Sequence, residues 1–370
     1  MLKIGIECEN LEDSKSRWGI GQITLNLLKE YAANPEWQKK YKLYLYFKKR
    51  IPDDDFFKIH NSKFIIRVSG VPSFNIYYHL LMPLRAMIDR IDWMFFPAYQ
   101  LPPLYLRKSI VVLTPDVYYE YKQGNLPLRY RLSYRLFTNW AAWFATKILA
   151  ISETSKKEVA NLYWINPKRI FVSHLGISSD QNIENSKLKI ENSTYILYVG
   201  QMFQRRHARE TILAFQKIAY EFPDLKLILV GTDKYRPAII RELVEIMNQK
   251  LKSERIIYFD YLEKREDIEK LYTGARALVY VSDREAFGLP PMEALAFGVS
   301  PVIMDNELGH ELFGDYAFYS KDGGADGIIR SVRQALTDGQ KIQKIKSEGP
   351  KFVKRYSWKG FTERFFEQAN

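Results

Sequence analysis

The chain repeats one pattern twice: short runs of apolar, β-branched and aromatic residues alternate with stretches of helical periodicity. In the first half the runs are KIGIEC, KLYLYF, FIIRVS, WMFFPA, SIVVLTPD, KILAIS and IFVSHLG. Between them lie amphipathic segments such as QITLNLLKEY, NIYYHLLMPLRAMI and ETSKKEVANLYW. Strands buried on both faces read as continuous apolar runs, and helices between them are the crossovers of a parallel sheet. The pattern restarts with YILYVG, LKLILVG, RIIYFDY, ALVYVS and VSPVIMD, interleaved with HARETILAFQKIAYEF, PAIIRELVEIMNQKL, REDIEKLY and PMEALAF. Such a chain is α/β, with two Rossmann-like doubly wound domains and a cleft between them.

The boundaries follow from composition. Residues 1–177 form the first domain, and the polar stretch 178–194, without an aromatic residue, is the linker. Residues 195–350 form the second domain. Residues 351–370, including YSWKGFTERFFEQ, read as terminal helix. A chain of 370 residues with 46% hydrophobic content supports two cores of this size.

Charge divides unevenly. Residues 1–190 carry 28 Lys and Arg against 17 Asp and Glu, and the remainder carries 27 against 26. The basic half either meets an anionic partner or presents a solvated basic face. The helix in NLPLRYRLSYRLFTNWAAWFATK sets Arg129, Arg131 and Arg135 among Tyr130, Tyr134, Trp140 and Trp143. That mixture suits either an anionic membrane surface or a helix half packed into a core. Nucleic acid is not expected, since no binding module accompanies the basic residues. The longest mostly apolar run, TNWAAWFATKILAIS, is too short to span a bilayer, and MLKIGIECEN lacks the apolar run of a signal peptide. The chain therefore reads as soluble and cytoplasmic, with peripheral contact at the inner face of the membrane as an option. The single cysteine, Cys8, reads as a small buried core residue.

The segment EAFGLPPMEA, residues 285–294, fixes a glutamate on either side of a turn. ALVYVS precedes it as a strand, Pro291 suits the first helical position, and Gly298 ends the helix before VSPVIMD. Glu285 then lies in the strand-to-helix loop and Glu293 in the first helical turn, both at the carboxyl edge of the sheet, where open α/β sheets bind ligands. The N–H groups of Gly288 and Leu289 suit phosphate oxygens, and carboxylates suit paired hydroxyls. A nucleotide sugar offers both. The plain alternative is a dipole-complementing Glu293 beside a solvated Glu285.

This glutamate pair around FGLP, followed by EALAFG and a strand into Asp305-Asn306, resembles the donor-site signature of the retaining glycosyltransferases of family 4, which have the GT-B fold. YVGQMFQRRHARETILAF, LILVGTD, IIYFDYLEKREDIEKLY, AISETSKKEV and YSWKGF resemble further segments of that family in the same order. KIGIECENL followed by GIGQITLNLLKE resembles its Gly-Ile-Gly subgroup, which points to mannose. The resemblance implies that Glu285 binds hydroxyls of the donor sugar and Glu293 the ribose hydroxyls, with backbone contacts from Phe287, Gly288 and Leu289. It places Gly21 in a first-domain loop that approaches the diphosphate. It sets Gln201 where many members have arginine, and Arg205 and Arg206 beside the leaving diphosphate. Gly231, Tyr261 and Leu262 fall on the donor side, the latter two near the base. Pro115 and Asp116 stand where many relatives have His-Asp, which leaves Asp116, at the end of a strand, for an acceptor hydroxyl or a helix cap.

The activity implied is transfer of a hexose, with retained configuration, from GDP-mannose or a UDP-sugar to a saccharide or lipid-linked acceptor of a surface polysaccharide. No cofactor and no metal are expected. The Asp-x-Asp match Asp53 to Asp55 sits in a polar loop, and His60, His79, His174, His207 and His310 lack metal-ligand spacing. The competing functions are a sugar-nucleotide epimerase or hydrolase of the same architecture, or a nucleotide-binding scaffold without turnover.

Overall fold

The computed structural model describes residues 1–13, 19–122, 127–177, 194–262 and 264–370. Trp18 of WGIG, Asn125 and Leu126, and residues 178–193 of the expected linker lie outside the described residues. The chain divides into two compact units, Met1–Gly176 with Tyr356–Asn370, and Ile177–Arg355.

The first unit is built on β1 (Leu2–Glu7), β2 (Tyr41–Phe47), β3 (Ile65–Val68), β4 (Trp93–Phe96), β5 (Ser109–Val112), β6 (Lys147–Ala150) and β7 (Ile170–Val172). They form one sheet in the order β3-β2-β1-β4-β5-β6-β7, with every pair parallel. Apart from the edge strand β3, most strand residues are buried because helices cover both faces, which is why the sequence shows apolar runs rather than alternation. Cys8 is buried just past β1. The segment after β3 runs as helix from Phe74 to Ile88, with a π turn at Tyr77–Leu81 just ahead of Pro83. The wider turn accommodates a ring that would clash with the preceding carbonyl in a regular helix.

The C-terminal helix Trp358–Gln368 belongs to this unit. Its Phe366 ring stacks on Tyr41 at 4.3 Å, Phe365 meets Phe95 edge-on at 4.9 Å, and Lys147 Nζ donates to the Gln368 carbonyl at 2.7 Å. The helix before it, Gly339–Val353, runs unbroken through Pro350, so the stretch GPKFV continues a helix instead of opening one.

The second unit holds β8 (Tyr195–Val199), β9 (Lys226–Val230), β10 (Ile256–Phe259), β11 (Ala275–Tyr280), β12 (Ser300–Met304) and β13 (Phe318–Ser320). Their order is β10-β9-β8-β11-β12-β13, again all parallel. The connections run to one side from β8 to β10 and to the other from β11 onward. The switch therefore falls between β8 and β11, and the loops after those two strands frame the place where such sheets bind ligands. Among the described residues no helix is long and apolar enough to cross a membrane.

Candidate active site

Two loops meet at that switch point. The first leaves β8 at Gly200 and reaches the helix Ala208–Glu221 through a short turn, Gln204–Arg206. The second leaves β11 and reaches the helix Leu289–Ala296 through Gly288. Three contacts join them. Asp283 N donates to the Arg205 carbonyl at 2.9 Å, His207 Nε2 lies 2.7 Å from Asp283 Oδ1, and Arg206 binds Glu285.

That last contact is a fork. Arg206 Nε donates to Glu285 Oε1 at 2.6 Å and Nη2 to Oε2 at 3.1 Å, while Nη1 donates to the Gln201 carbonyl at 3.2 Å. Both side chains are 16% exposed. Oε1 of Glu285 also accepts from the Tyr280 hydroxyl and from Ser282 Oγ, each at 3.1 Å. Oε1 is therefore saturated, whereas Oε2, with Arg206 as donor, keeps acceptor capacity on its other lone pair. Burial, with the Glu285 charge beside it, pushes the Tyr280 hydroxyl well above its usual range, so it stays protonated and donates. Tyr280 and Ser282, together with Phe287, Gly288, Asn306 and Gly309, line a recess that opens beside Glu285.

Glu293 is held differently. Its Oε2 accepts from Tyr272 at 3.0 Å and its Oε1 lies 3.9 Å from Arg265 Nη2. The side chain is 27% exposed, and burial, aided by the nearby Glu269, raises its pKa against the opposing pull of Arg265 and the Tyr272 bond. The helix carrying it begins at Leu289, so Pro290 and Pro291 are its second and third residues. Pro291 is thus not the first helical residue, and Glu293 falls in the second turn rather than the first. The prolines have no N–H, which leaves Gly288 and Leu289 as the backbone donors this helix start offers an anion. Gly288 adopts φ 89°, a conformation glycine tolerates best.

The glycine after β9 lies against the start of the loop after β8. Gly231 has φ 144°, and a Cβ there would overlap the Gly200 carbonyl, so its first role is to let the ends of β8 and β9 touch. Gln201 is exposed at the start of the first loop, and Arg205 stacks its guanidinium on Phe203 at 4.6 Å. Tyr261 is half exposed just beyond β10, while Leu262 packs against the core of the unit.

The first-unit candidates sit otherwise than expected. Gly21 is the second residue of the helix Ile20–Ala33, not a loop residue; the helix starts early because Gly19, at φ 49°, turns the chain into it without a side-chain cap. Asp116 follows β5 by several residues and lies in the first turn of the helix Pro115–Lys122, where its charge complements the helix dipole. Pro115 takes the first position of that helix. Of the Asp53 to Asp55 run, Asp54 caps the helix Asp55–His60 by accepting from Phe57 N, and Asp53 pairs with Lys58 at 3.0 Å. Among the described residues no three His, Cys, Asp or Glu side chains cluster as a metal site.

Sequence reasoning brought Glu285, Arg206 and the FGLP turn together. It missed Tyr280, Tyr272, Arg265, His207 and Asp283. The signal for Tyr280 was its place at the end of the strand that leads into Glu285, but strand tyrosines in this chain are also core residues.

Residues 179–352 match the model of the family described as "Glycosyl transferases group 1". The chain is 30% identical over 231 residues to O-antigen chain mannosyltransferase B of Escherichia coli, covering 59% of this chain and 58% of that one. It is 24% identical over 211 residues to O-antigen chain mannosyltransferase RfbU of Salmonella typhimurium, covering 57% and 56%. The match thus spans little more than half the length of these curated relatives. Among solved structures, HepE of Anabaena in complex with UDP-glucose superposes with a TM-score of 0.72 at 16% identity, covering 100% of this chain and 99% of that one. WaaG, a glycosyltransferase involved in lipopolysaccharide biosynthesis, gives 0.66 at 16% identity with both chains fully covered. The fold is GT-B, two Rossmann-like units in one chain.

Proposed function

We propose that the protein is a glycosyltransferase that moves a hexose from a nucleotide diphosphate sugar to a saccharide or lipid-linked acceptor in surface-polysaccharide synthesis. GDP-mannose is the favoured donor, supported by the two O-antigen mannosyltransferases among its relatives. The observation that carries the reading is the Arg206–Glu285 fork at the switch point of the second unit.

In this reading Glu285 Oε2 accepts a hydroxyl of the donor sugar, while Arg206, Tyr280 and Ser282 fix the carboxylate's direction. Gly288 and Leu289 N–H groups and Arg205 face the diphosphate, and Glu293 accepts the ribose hydroxyls. The bond from the anomeric carbon to the diphosphate breaks as a bond to the acceptor oxygen forms on the same face, and the acceptor proton passes to the departing diphosphate. Preorganised donors around that diphosphate lower the barrier by stabilising its developing charge. The reaction is proposed to run without a metal. Asp116 in the first unit binds an acceptor hydroxyl.

The test is transfer itself. Purified protein is given GDP-mannose, UDP-glucose and UDP-galactose in turn with EDTA and a lipid-linked saccharide, and products are read by mass spectrometry and by the anomeric proton in NMR. An acceptor-dependent product with retained configuration is expected. Donor consumption without acceptor dependence would replace transfer by hydrolysis.

A further inference from the structure

One stripe of a neighbouring helix holds Glu293. The helix Arg265–Gly274 carries Arg265, Glu269 and Tyr272 at positions i, i+4 and i+7, which fall on one face. Two of the three reach Glu293: the Tyr272 hydroxyl donates to Oε2 at 3.0 Å, and Arg265 Nη2 stands 3.9 Å from Oε1. The third, Glu269, accepts from Arg265 Nε at 2.8 Å. Tyr272 is itself fixed, since its buried ring stacks on Phe297 at 5.8 Å. Its hydroxyl stays protonated and donates, because burial, with the Glu293 charge beside it, holds it well above its usual range.

An exposed arginine paired with an acid one turn away contributes little by itself. Arg265 is half exposed, but its partner Glu269 is only 5% exposed. An acid that deep is costly unless a cation meets it, so Glu269 fixes where the guanidinium stands. At 3.9 Å, Nη2 attracts Glu293 Oε1 without bonding to it, which leaves that oxygen open to a ligand hydroxyl. Burial is the largest influence on Glu293 and raises its pKa; Arg265 and then Tyr272 oppose the rise, and Glu269 adds to it. Glu266 and Asp267 occupy the first turn of the Arg265 helix, and β11 contributes Tyr280, which bears on Tyr272. The other face of the helix Leu289–Ala296 packs on the helix Gly339–Val353, where Leu295 meets Gly349 and Lys346 lies against Gly298.

We propose that Arg265, anchored by Glu269, is a positioning residue that directs the Glu293 carboxylate to the ribose hydroxyls of the donor nucleotide. The inference rests on the assignment of Glu293 to the ribose made above. Arg265 acts through Glu293 and does not itself touch the nucleotide. Its charge also keeps the carboxylate ionised, and only the ionised form offers acceptors on both oxygens, since a protonated one turns an acceptor into a donor. Glu269 works in two directions: it holds the guanidinium in place, and its own charge opposes ionisation of Glu293.

The experiment is calorimetric titration of the full chain with GDP, UDP and their 2′-deoxy forms in EDTA, from about pH 5 to about pH 8. The 2′-deoxy nucleotides carry the same phosphates, so the ratio of the two affinities separates the ribose contact from phosphate titration. The unaltered protein is expected to prefer the ribonucleotide about tenfold, and to lose the preference as acid protonates Glu293. Arg265→Met is expected to cut the preference to about threefold or less and to start its loss at higher pH, with 2′-deoxy binding changed by less than about twofold. Glu269→Gln should move that onset to lower pH, because the opposing charge is gone while the amide oxygen still accepts from Arg265. The double variant leaves no buried acid unpaired, so it tests the role even where Arg265→Met folds poorly; its onset should lie between Arg265→Met and the unaltered protein. Arg265→Lys should recover part of the preference. Loss of both nucleotides in equal proportion would make the arginine merely structural and overturn the proposal. A preference and onset left unchanged by Arg265→Met would overturn the positioning role while the Glu293 assignment stands. Failure of the unaltered chain to tell ribose from deoxyribose would remove Glu293 from the ribose, and the proposal with it.

Discussion

Arg206 and Glu285, 79 residues apart, meet through two bonds of 2.6 and 3.1 Å and so lock the loop after β8 to the loop after β11. Removing the guanidinium leaves a carboxylate that is 16% exposed with half its donors gone. Arg206→Ala is expected to cost about 2–3 kcal/mol of stability, the low side for breaking a buried pair because some water reaches it. Donor turnover is expected to fall at least about a hundredfold. Arg206→Lys keeps the charge but not the fork, and should lie between. Denaturant melts beside steady-state assays of the three proteins check this.

The two glycines of the site predict unequal costs. Gly231→Ala meets both a φ of 144° and the Gly200 carbonyl, whereas Gly288→Ala meets only the φ of 89° with ordinary contacts to Pro291 and Phe313. Gly231→Ala should lose about 2–3 kcal/mol and Gly288→Ala about 1. Equal losses in urea unfolding would contradict the close approach of β8 and β9.

Much of this was legible beforehand, and the failures have physical causes. Twelve apolar runs announced twelve of the parallel strands, since a helix-covered sheet needs strands buried on both faces, while the three-residue edge strand β13 was too short to stand out. Helix starts were less legible. Gly19 opens its helix by backbone conformation with no capping side chain, and Pro290 and Pro291 share a first turn in which either could have come first. Arg206 was read as a phosphate ligand because its loop resembles the phosphate loop of the family, but its fork with Glu285 depends on a strand order that local sequence does not carry. Tyr280 and Tyr272 stayed hidden because a tyrosine that packs a core and one that also orients a carboxylate look alike in sequence.

Glu7 gives the first unit a pH signature. It ends β1 almost fully buried, accepts a bond from Glu9 N at 2.7 Å, and burial pushes its pKa up to about 8, with Glu9 and Glu12 adding to the shift. The folded state then holds a proton that the unfolded state releases above about 4.5. Stability is full below that pH and declines as pH rises toward 8, by up to about 1.4 kcal/mol per unit. Glu7→Gln should flatten the decline and be the more stable protein at pH 8. Thermal melts of both proteins between pH 5 and 9 decide it.

His207 gives the second unit another. The bond to Glu210 is the largest influence raising its pKa above 6.5, and Asp283 adds to it against the effect of burial. The clamp between the two site loops is therefore fully present below about 6.5 and lost as pH rises through the raised value. NMR titration of the His207 ring should show the raised pKa, and Asp283→Asn should lower it. A pKa at or below 6.5 in the unaltered protein would remove His207 from the clamp.

The most direct test of the account is calorimetric titration of the protein with GDP, UDP and ADP in EDTA, beside Glu293→Ala. The account predicts selective binding of one nucleotide diphosphate, GDP foremost, weakened at least about tenfold by the substitution through loss of the ribose contacts. Equal affinity of the variant, or no binding of any nucleotide by the unaltered chain, would contradict the assignment of the donor site to the second unit.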